Sequence, residues 1–140
     1  MSADPTSLYA EAIRRHAADP QGAELPSGQP FLELSNPLCG DRVRFVLQRE
    51  DTHVASVACQ VRGCALCLAS GSMLVEAVAG QTVAGARELA EQVCALTQGA
   101  ASEELPSPLH HFAPVVDFPE RARCVSLPWE ALLQQLDGAR

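Results

Sequence analysis

The sequence predicts an α+β fold, a small antiparallel sheet packed on one side by helices. Two strand-like runs, Val43–Arg49 and Val54–Val61, follow one another with only Glu50-Asp-Thr-His53 between them. Behind them lie two long segments, 64–79 and 83–97, whose apolar residues recur at helical rather than alternating spacing. Strands first and packed helices after is the order expected of an α+β layer structure.

Taken in order, Thr6 or Ser7 can cap a first helix over Leu8–Ala17, with Glu11 in its opening turns. Asp19-Pro20 ends that helix, because the residue before a proline avoids helical backbone angles. A polar stretch from Gln21 to Pro30 leads to a short extended piece, Phe31–Ser35, and a turn at Asn36-Pro37. In the first long strand Val43, Phe45 and Leu47 share a face. In the second the alternating set is Ala55, Val57, Cys59 and Val61. The polar four-residue connection makes the pair an antiparallel hairpin. Gly63 breaks the alternation, and Cys64–Ala79 is apolar on most sides, hence a mainly buried helix closed by Gly80. Val83–Thr97 is a further helix, with Ala86, Ala90, Val93 and Cys94 on one side. A loose region with four prolines, 98–121, precedes a last helix around Pro128–Leu136.

With 140 residues, 47% of them hydrophobic and 19% charged, the chain suits one globular domain spanning 1–140 and is too apolar for disorder. The net charge is −7, and all ten basic residues are arginines dispersed along the chain. That distribution lacks the basic footprint of a nucleic-acid binder. Arg62, Gly71 and Glu76 interrupt the one apolar stretch that approaches membrane-spanning length. The first residues have neither the basic start nor the apolar core of a signal peptide. A soluble, cytoplasmic protein is the expectation.

Six cysteines in such a chain point to metal ligation or thiol chemistry rather than to a disulfide framework. Cys39, Cys64 and Cys124 fall at element boundaries. Cys39 sits in a turn two residues before Asp41, a spacing that puts both side chains on one side of extended chain, with Gly40 offering no obstruction between them. Cys64 opens the buried helix, where unpaired backbone N–H groups favour thiolate. A hairpin brings the start of one strand and the end of the other to the same sheet edge, so Cys39, Asp41 and Cys64 can converge, with Cys124 as a fourth ligand. Three thiolates and a carboxylate suit tetrahedral zinc, and equally iron or an iron–sulfur cluster. Spacing alone does not separate such a centre from three buried structural cysteines.

The words Asn36-Pro-Leu-Cys-Gly-Asp41, Arg62-Gly-Cys-Ala-Leu-Cys-Leu-Ala-Ser-Gly-Ser-Met-Leu74 and Arg121-Ala-Arg-Cys-Val-Ser-Leu-Pro-Trp-Glu-Ala-Leu132 resemble the NifU N-terminal/IscU family, most closely its SufU branch. The opening Leu8-Tyr9, Ile13, His16 and Pro20, and the segment Gly80-Gln-Thr-Val83, are similar as well. The resemblance implies an iron–sulfur cluster assembly protein, a scaffold or sulfur carrier rather than a turnover enzyme. It would take persulfide sulfur from a SufS-like cysteine desulfurase and serve a downstream assembly complex or apo-proteins. It also implies a ligand set of Cys39, Asp41, Cys64 and Cys124 for zinc, iron or a transient cluster. Cys39 would be the sulfur acceptor, released from zinc when the desulfurase offers a histidine in exchange. The chain departs from the family at five positions. Arg123 stands where the IscU branch has histidine. Cys67 stands where the SufU branch has serine, and Cys59 and Val61 where it has an aromatic residue and a glycine. Gln81 replaces a lysine.

Three alternatives accompany that expectation: a zinc-dependent sulfurtransferase that assembles no cluster, a thiol redox protein using Cys64 and Cys67, and a family-shaped protein with a purely structural zinc. Cys64 and Cys67 lie at i and i+3 on one helical face, so Cys67 is either an auxiliary thiol or a small apolar filler. Cys59 and Cys94 lie on apolar faces and read as core. His110 and His111 could stand in for Asp41 as ligands, or form a solvated loop pair. His53 reads as a turn residue and His16 as a packing or capping histidine. Trp129, Leu132, Leu133 and Leu136 form a core stripe. Arg121 and Arg123, flanking Cys124, are either solvated charge or a contact for an acidic partner.

Overall fold

The computed structural model describes residues 9–100, 105–106 and 108–138. The caps expected at Thr6 or Ser7 lie outside the described residues, and the first helix, α1, covers Glu11–Ala18 with Asp19 as its C-terminal cap. Strand β1 (Leu32–Asn36), β2 (Asp41–Glu50) and β3 (His53–Arg62) follow, then helices α2 (Ala65–Val78) and α3 (Val83–Leu96). A 3-10 segment at Leu109–Asp117 leads directly into α4, Pro119–Gly138.

The sheet is an antiparallel meander of order β1-β2-β3. Its register aligns Leu34, Val43 and Val61 across the three strands, and likewise Leu32, Phe45 and Cys59. These residues, with Leu47 and Val57, form the face that meets the helices. Glu33, Ser35, Arg42 and Gln48 are exposed on the opposite face, as alternation in a half-buried antiparallel sheet requires.

The hairpin is tighter than its sequence suggests. Glu50 and His53 pair with each other, leaving Asp51-Thr52 as the turn, with Asp51 in the left-handed region at φ 56°. Aspartate tolerates that conformation because its short polar side chain can bond locally. The register shifts between Gln48 and Arg49, which pair with Ser56 and Val54. This bulge changes which residues face inward. Val54 is buried, whereas Ala55, expected on the inner face, is exposed.

Helix α2 is buried along most of its length and packs against α1, β3 and α4. Helix α3 starts at Thr82, whose hydroxyl accepts the Gly85 N–H at 2.9 Å. Helix α4 corrects an expectation. It begins nine residues before Pro128, so Cys124 lies within its second turn and does not precede it. Pro119 is the natural first residue of that helix, since its missing N–H would have no helical partner there. Pro128, which resembles a start in sequence, sits inside. Trp129, Leu132 and Leu136 of α4 join the core; α4 contacts α2, α3, β1 and β2.

Candidate metal centre

Three pieces of chain meet at the edge where β2 begins and β3 ends. The first is the turn from Asn36 to Gly40. Asn36 is buried, and its carbonyl accepts the N–H groups of Cys39 (3.3 Å) and Gly40 (2.8 Å) while its Oδ1 accepts that of Leu38 (3.2 Å). Gly40 closes the turn at φ +78°, a conformation suited to glycine. The turn holds Cys39 at the surface and delivers the chain to Asp41, which is only 2% exposed. The second piece is the handover from β3 to α2, with Cys64 as the N-cap residue. The third is the second turn of α4, which carries Cys124.

The sulfurs of Cys39 and Cys124 lie 3.8 Å apart. Asp41 Oδ1 accepts the backbone N–H of Cys64 at 3.1 Å, and its Oδ2 stands 3.8 Å from the Cys64 sulfur. One ligand atom from each of Cys39, Asp41 and Cys124 lies within 4.8 Å of the other two. Cys64 stands beside that trio, in contact with Asp41. Thiolates held at about 2.3 Å on a tetrahedral ion stand roughly 3.8 Å apart, so the Cys39–Cys124 separation fits the edge of such a site. Sulfur and carboxylate donors of this kind suit zinc or iron.

The thiols divide by environment. Cys124 donates its proton toward Cys64, and this hydrogen bond is the main reason the Cys64 thiol is pulled down to about 6. The same bond, followed by burial, pushes Cys124 far above its ordinary range. Burial raises Cys59 to about 12, in keeping with its core position, and Cys94, half-buried against the core, to about 11. Cys67 is wholly buried and also raised, chiefly by burial. Around Cys39, Asp41, Cys64 and Cys124 lies an open cleft of about 570 Å³, with Leu38, Arg62, Glu120 and Arg121 on its rim.

The other sequence candidates fall elsewhere. His110 and His111 stack on each other, ring centres 4.2 Å apart, in the 3-10 segment and outside the trio. His16 packs: Ser72 Oγ accepts the Gln21 N–H at 2.9 Å and bonds to His16 Nδ1 at 2.7 Å, leaving Nε2 3.5 Å from Glu76. Arg123 is committed to Glu130 at 3.3 Å, whereas Arg121 faces the cleft. Sequence reasoning passed over Gly63 as a site residue. A β-carbon there would stand 2.4 Å from Asp41 Oδ1, so the carboxylate occupies the space a side chain would need. The signal was present in Arg62-Gly-Cys64, where the glycine directly precedes a ligand.

Comparison with known proteins agrees with this geometry. A model of the family described as NifU-like N terminal domain matches residues 8–117. The chain is 26% identical over 133 residues to the zinc-dependent sulfurtransferase SufU of Bacillus subtilis, covering 94% of this chain and 90% of that protein. It is 30% identical over 132 residues to the iron–sulfur cluster assembly scaffold protein IscU of Streptococcus pyogenes serotype M1, covering 92% and 82%. The solved structure of FiSufU from Fervidobacterium islandicum AW-1 shares the fold, with a TM-score of 0.85 at 24% identity over 95% of this chain and 99% of that one. With its own model spanning most of the sequence and relatives alignable nearly end to end, the chain belongs to the NifU N-terminal family, the group that includes SufU and IscU.

Proposed function

We propose that this protein serves iron–sulfur cluster assembly as a metal-binding scaffold and sulfur acceptor, taking persulfide sulfur from a SufS-like cysteine desulfurase. The observation that carries the proposal is the placement of Cys39: an exposed thiol on an ordered turn, 3.8 Å from a buried second thiol and beside a buried carboxylate. Cys39, Asp41, Cys64 and Cys124 are the ligands. Zinc or iron bound there would hold the sulfurs as thiolates and shield them from stray reaction.

Cys39 is the acceptor because it alone of the four is fully on the surface. Its thiolate attacks the outer sulfur of the donor's persulfide. The donor's S–S bond breaks, its cysteine leaves as thiolate, and a new S–S bond forms on Cys39, with no net oxidation. Leu38, 92% exposed beside Cys39, offers the donor an apolar contact at the rim.

Cys39→Ala is expected to abolish stimulation of a SufS-type desulfurase; undiminished stimulation would reject the acceptor assignment. The near-full-length match to a protein named as a zinc-dependent sulfurtransferase favours a second reading, in which zinc stays bound and no cluster assembles. Metal and sulfide content of anaerobically purified protein separates the two. Colourless protein with one zinc means transfer; brown protein with iron and sulfide means scaffolding.

A further inference from the structure

Cys67 is the thiol that the proposed function leaves unused. It lies on the third residue of α2, three positions after Cys64 at the N-cap, so both sulfurs belong to one helical turn. Side chains at the N-cap and at the third helical position are the pair that meet in a capping box, and the extended backbone of Cys64 (φ −74°, ψ 169°) releases it from strict helical geometry. Cys64 is half-buried on the cleft, while Cys67 is wholly buried.

We propose that Cys64 and Cys67 form a redox-active dithiol whose oxidation to a disulfide withdraws Cys64 from the metal site and unloads the metal. The unloading rests on the ligand set proposed above; the disulfide itself does not. The oxidant is a small-molecule disulfide of the glutathione class. The Cys64 thiolate attacks one of its sulfurs, forming a mixed disulfide and releasing one small thiolate. Cys67 then gives up its proton and attacks the Cys64 sulfur. The mixed S–S bond breaks, the Cys64–Cys67 bond forms, and the second small thiolate leaves. Two electrons pass from the protein thiols to the reagent, which ends as two thiols.

Three other pairs compete. Cys64 and Cys124 are hydrogen-bonded, but Cys124 sits on α4, a separate element from the turn that carries Cys64 and Cys67. Cys39 and Cys124 are 3.8 Å apart, but they sit on separate elements, the 36–40 turn and α4, so a bond of about 2.05 Å would have to hold the two together. Cys59 reaches α2 at Gly71, where a β-carbon would lie 3.1 Å from its sulfur, one turn beyond Cys67. Cys59 and Cys67 are both buried and closed to a reagent. Only Cys64 and Cys67 combine an accessible member with a partner on the same rigid turn.

The test uses full-length protein, zinc-loaded and metal-free, incubated with oxidised glutathione. Disulfides are mapped by digestion and mass spectrometry, and zinc release is followed with a chromophoric chelator. Wild-type protein is expected to form the Cys64–Cys67 bond and lose its zinc, with dithiothreitol reversing both. Cys67→Ser is expected to bind zinc normally and stop at a glutathione adduct on Cys64. Cys67→Ala removes the thiol without adding a buried hydroxyl and should behave the same way. A bond mapped to Cys64–Cys124, Cys39–Cys124 or Cys59–Cys67, no bond at all, or zinc retained once the Cys64–Cys67 bond has formed overturns the proposal. If the Cys64–Cys67 bond forms but the reduced protein proves unable to bind zinc, the metal reading fails and the unloading role fails with it. A bond elsewhere in a zinc-binding protein overturns the dithiol alone.

Discussion

Asp41 is buried to 2% exposure and directs both carboxylate oxygens at Cys64, one to its backbone N–H and one toward its sulfur. The hydrogen bond on Oδ1 fixes the carboxylate and leaves Oδ2 facing the thiols, the kind of outer support that orients a ligand. Gly63 makes this possible, since any β-carbon at 63 would collide with Oδ1 at 2.4 Å. Backbone and carboxylate cannot both stay where they are if that hydrogen becomes a methyl group. Gly63→Ala is therefore expected to lower zinc affinity by roughly 10–100-fold, the usual cost of disturbing a ligand's support, and to destabilise the metal-free fold by about 1–3 kcal/mol, as overpacking does. Chelator competition and urea denaturation measure the two quantities. Unchanged affinity would show that Asp41 does not contribute to the site through this carboxylate position.

Between elements, the link that sets the depth of α4 is Ser70. Its hydroxyl donates to the Val125 carbonyl and accepts the indole N–H of Trp129 at 3.0 Å, all three groups being fully buried. Val125 adjoins Cys124, so this contact ties the α4 ligand to α2, the helix that Cys64 caps. Ser70→Ala strands the indole N–H in the core and should destabilise the protein by about 1–3 kcal/mol, read from the urea midpoint. An effect within error would mean that Trp129 finds another acceptor. None of this is visible in the sequence, where Trp129 reads only as part of an apolar stripe. The hairpin, α2 and α3 were legible because each carries its own period and its own punctuation at Gly63, Gly80 and Thr82. The turn before β2 was legible for the same reason, through Asn36-Pro37 and Gly40. The start of α4 was not, because its first turns are held by packing against other elements, and Pro128 imitates a helix start. Pro128 has no N–H to donate to the Cys124 carbonyl, yet the helix runs through it. The bulge that buries Val54 was hidden likewise, since alternation gives no sign of an inserted residue. The candidate residues could be named from motifs, but their convergence depends on strand register and on α4 crossing the sheet edge.

At the scale of the molecule, a metal held by Cys39, Asp41, Cys64 and Cys124 fastens the turn before β2, the junction of β3 with α2, and α4 to one point. Binding to the folded chain alone stabilises it by mass action, about 2.7 kcal/mol with free zinc at 100 times Kd, which in a domain of this size raises Tm by roughly 10 °C. The size of that rise depends on pH through the Cys64–Cys124 pair. Cys64 is lowered to about 6 in the folded chain, from an ordinary value near 8.5, so its contribution to metal-free stability is complete above about 8.5 and lost as pH falls through about 6. Cys124 is shifted the other way and costs stability once pH exceeds the value at which an unfolded thiol ionises. The pair therefore favours the metal-free fold most near that crossover. Zinc must displace the protons its thiol ligands carry, that of Cys124 among them at neutral pH, and below about 6 it must displace a further one from Cys64. The difference in Tm between zinc-loaded and metal-free protein should shrink as pH drops from 8, with its steepest fall below about 6. Scanning calorimetry of both forms across that range measures it directly. A difference that stays constant down to pH 5 would mean that none of the three thiols gives up a proton to the metal, and the four-ligand centre would have to be abandoned.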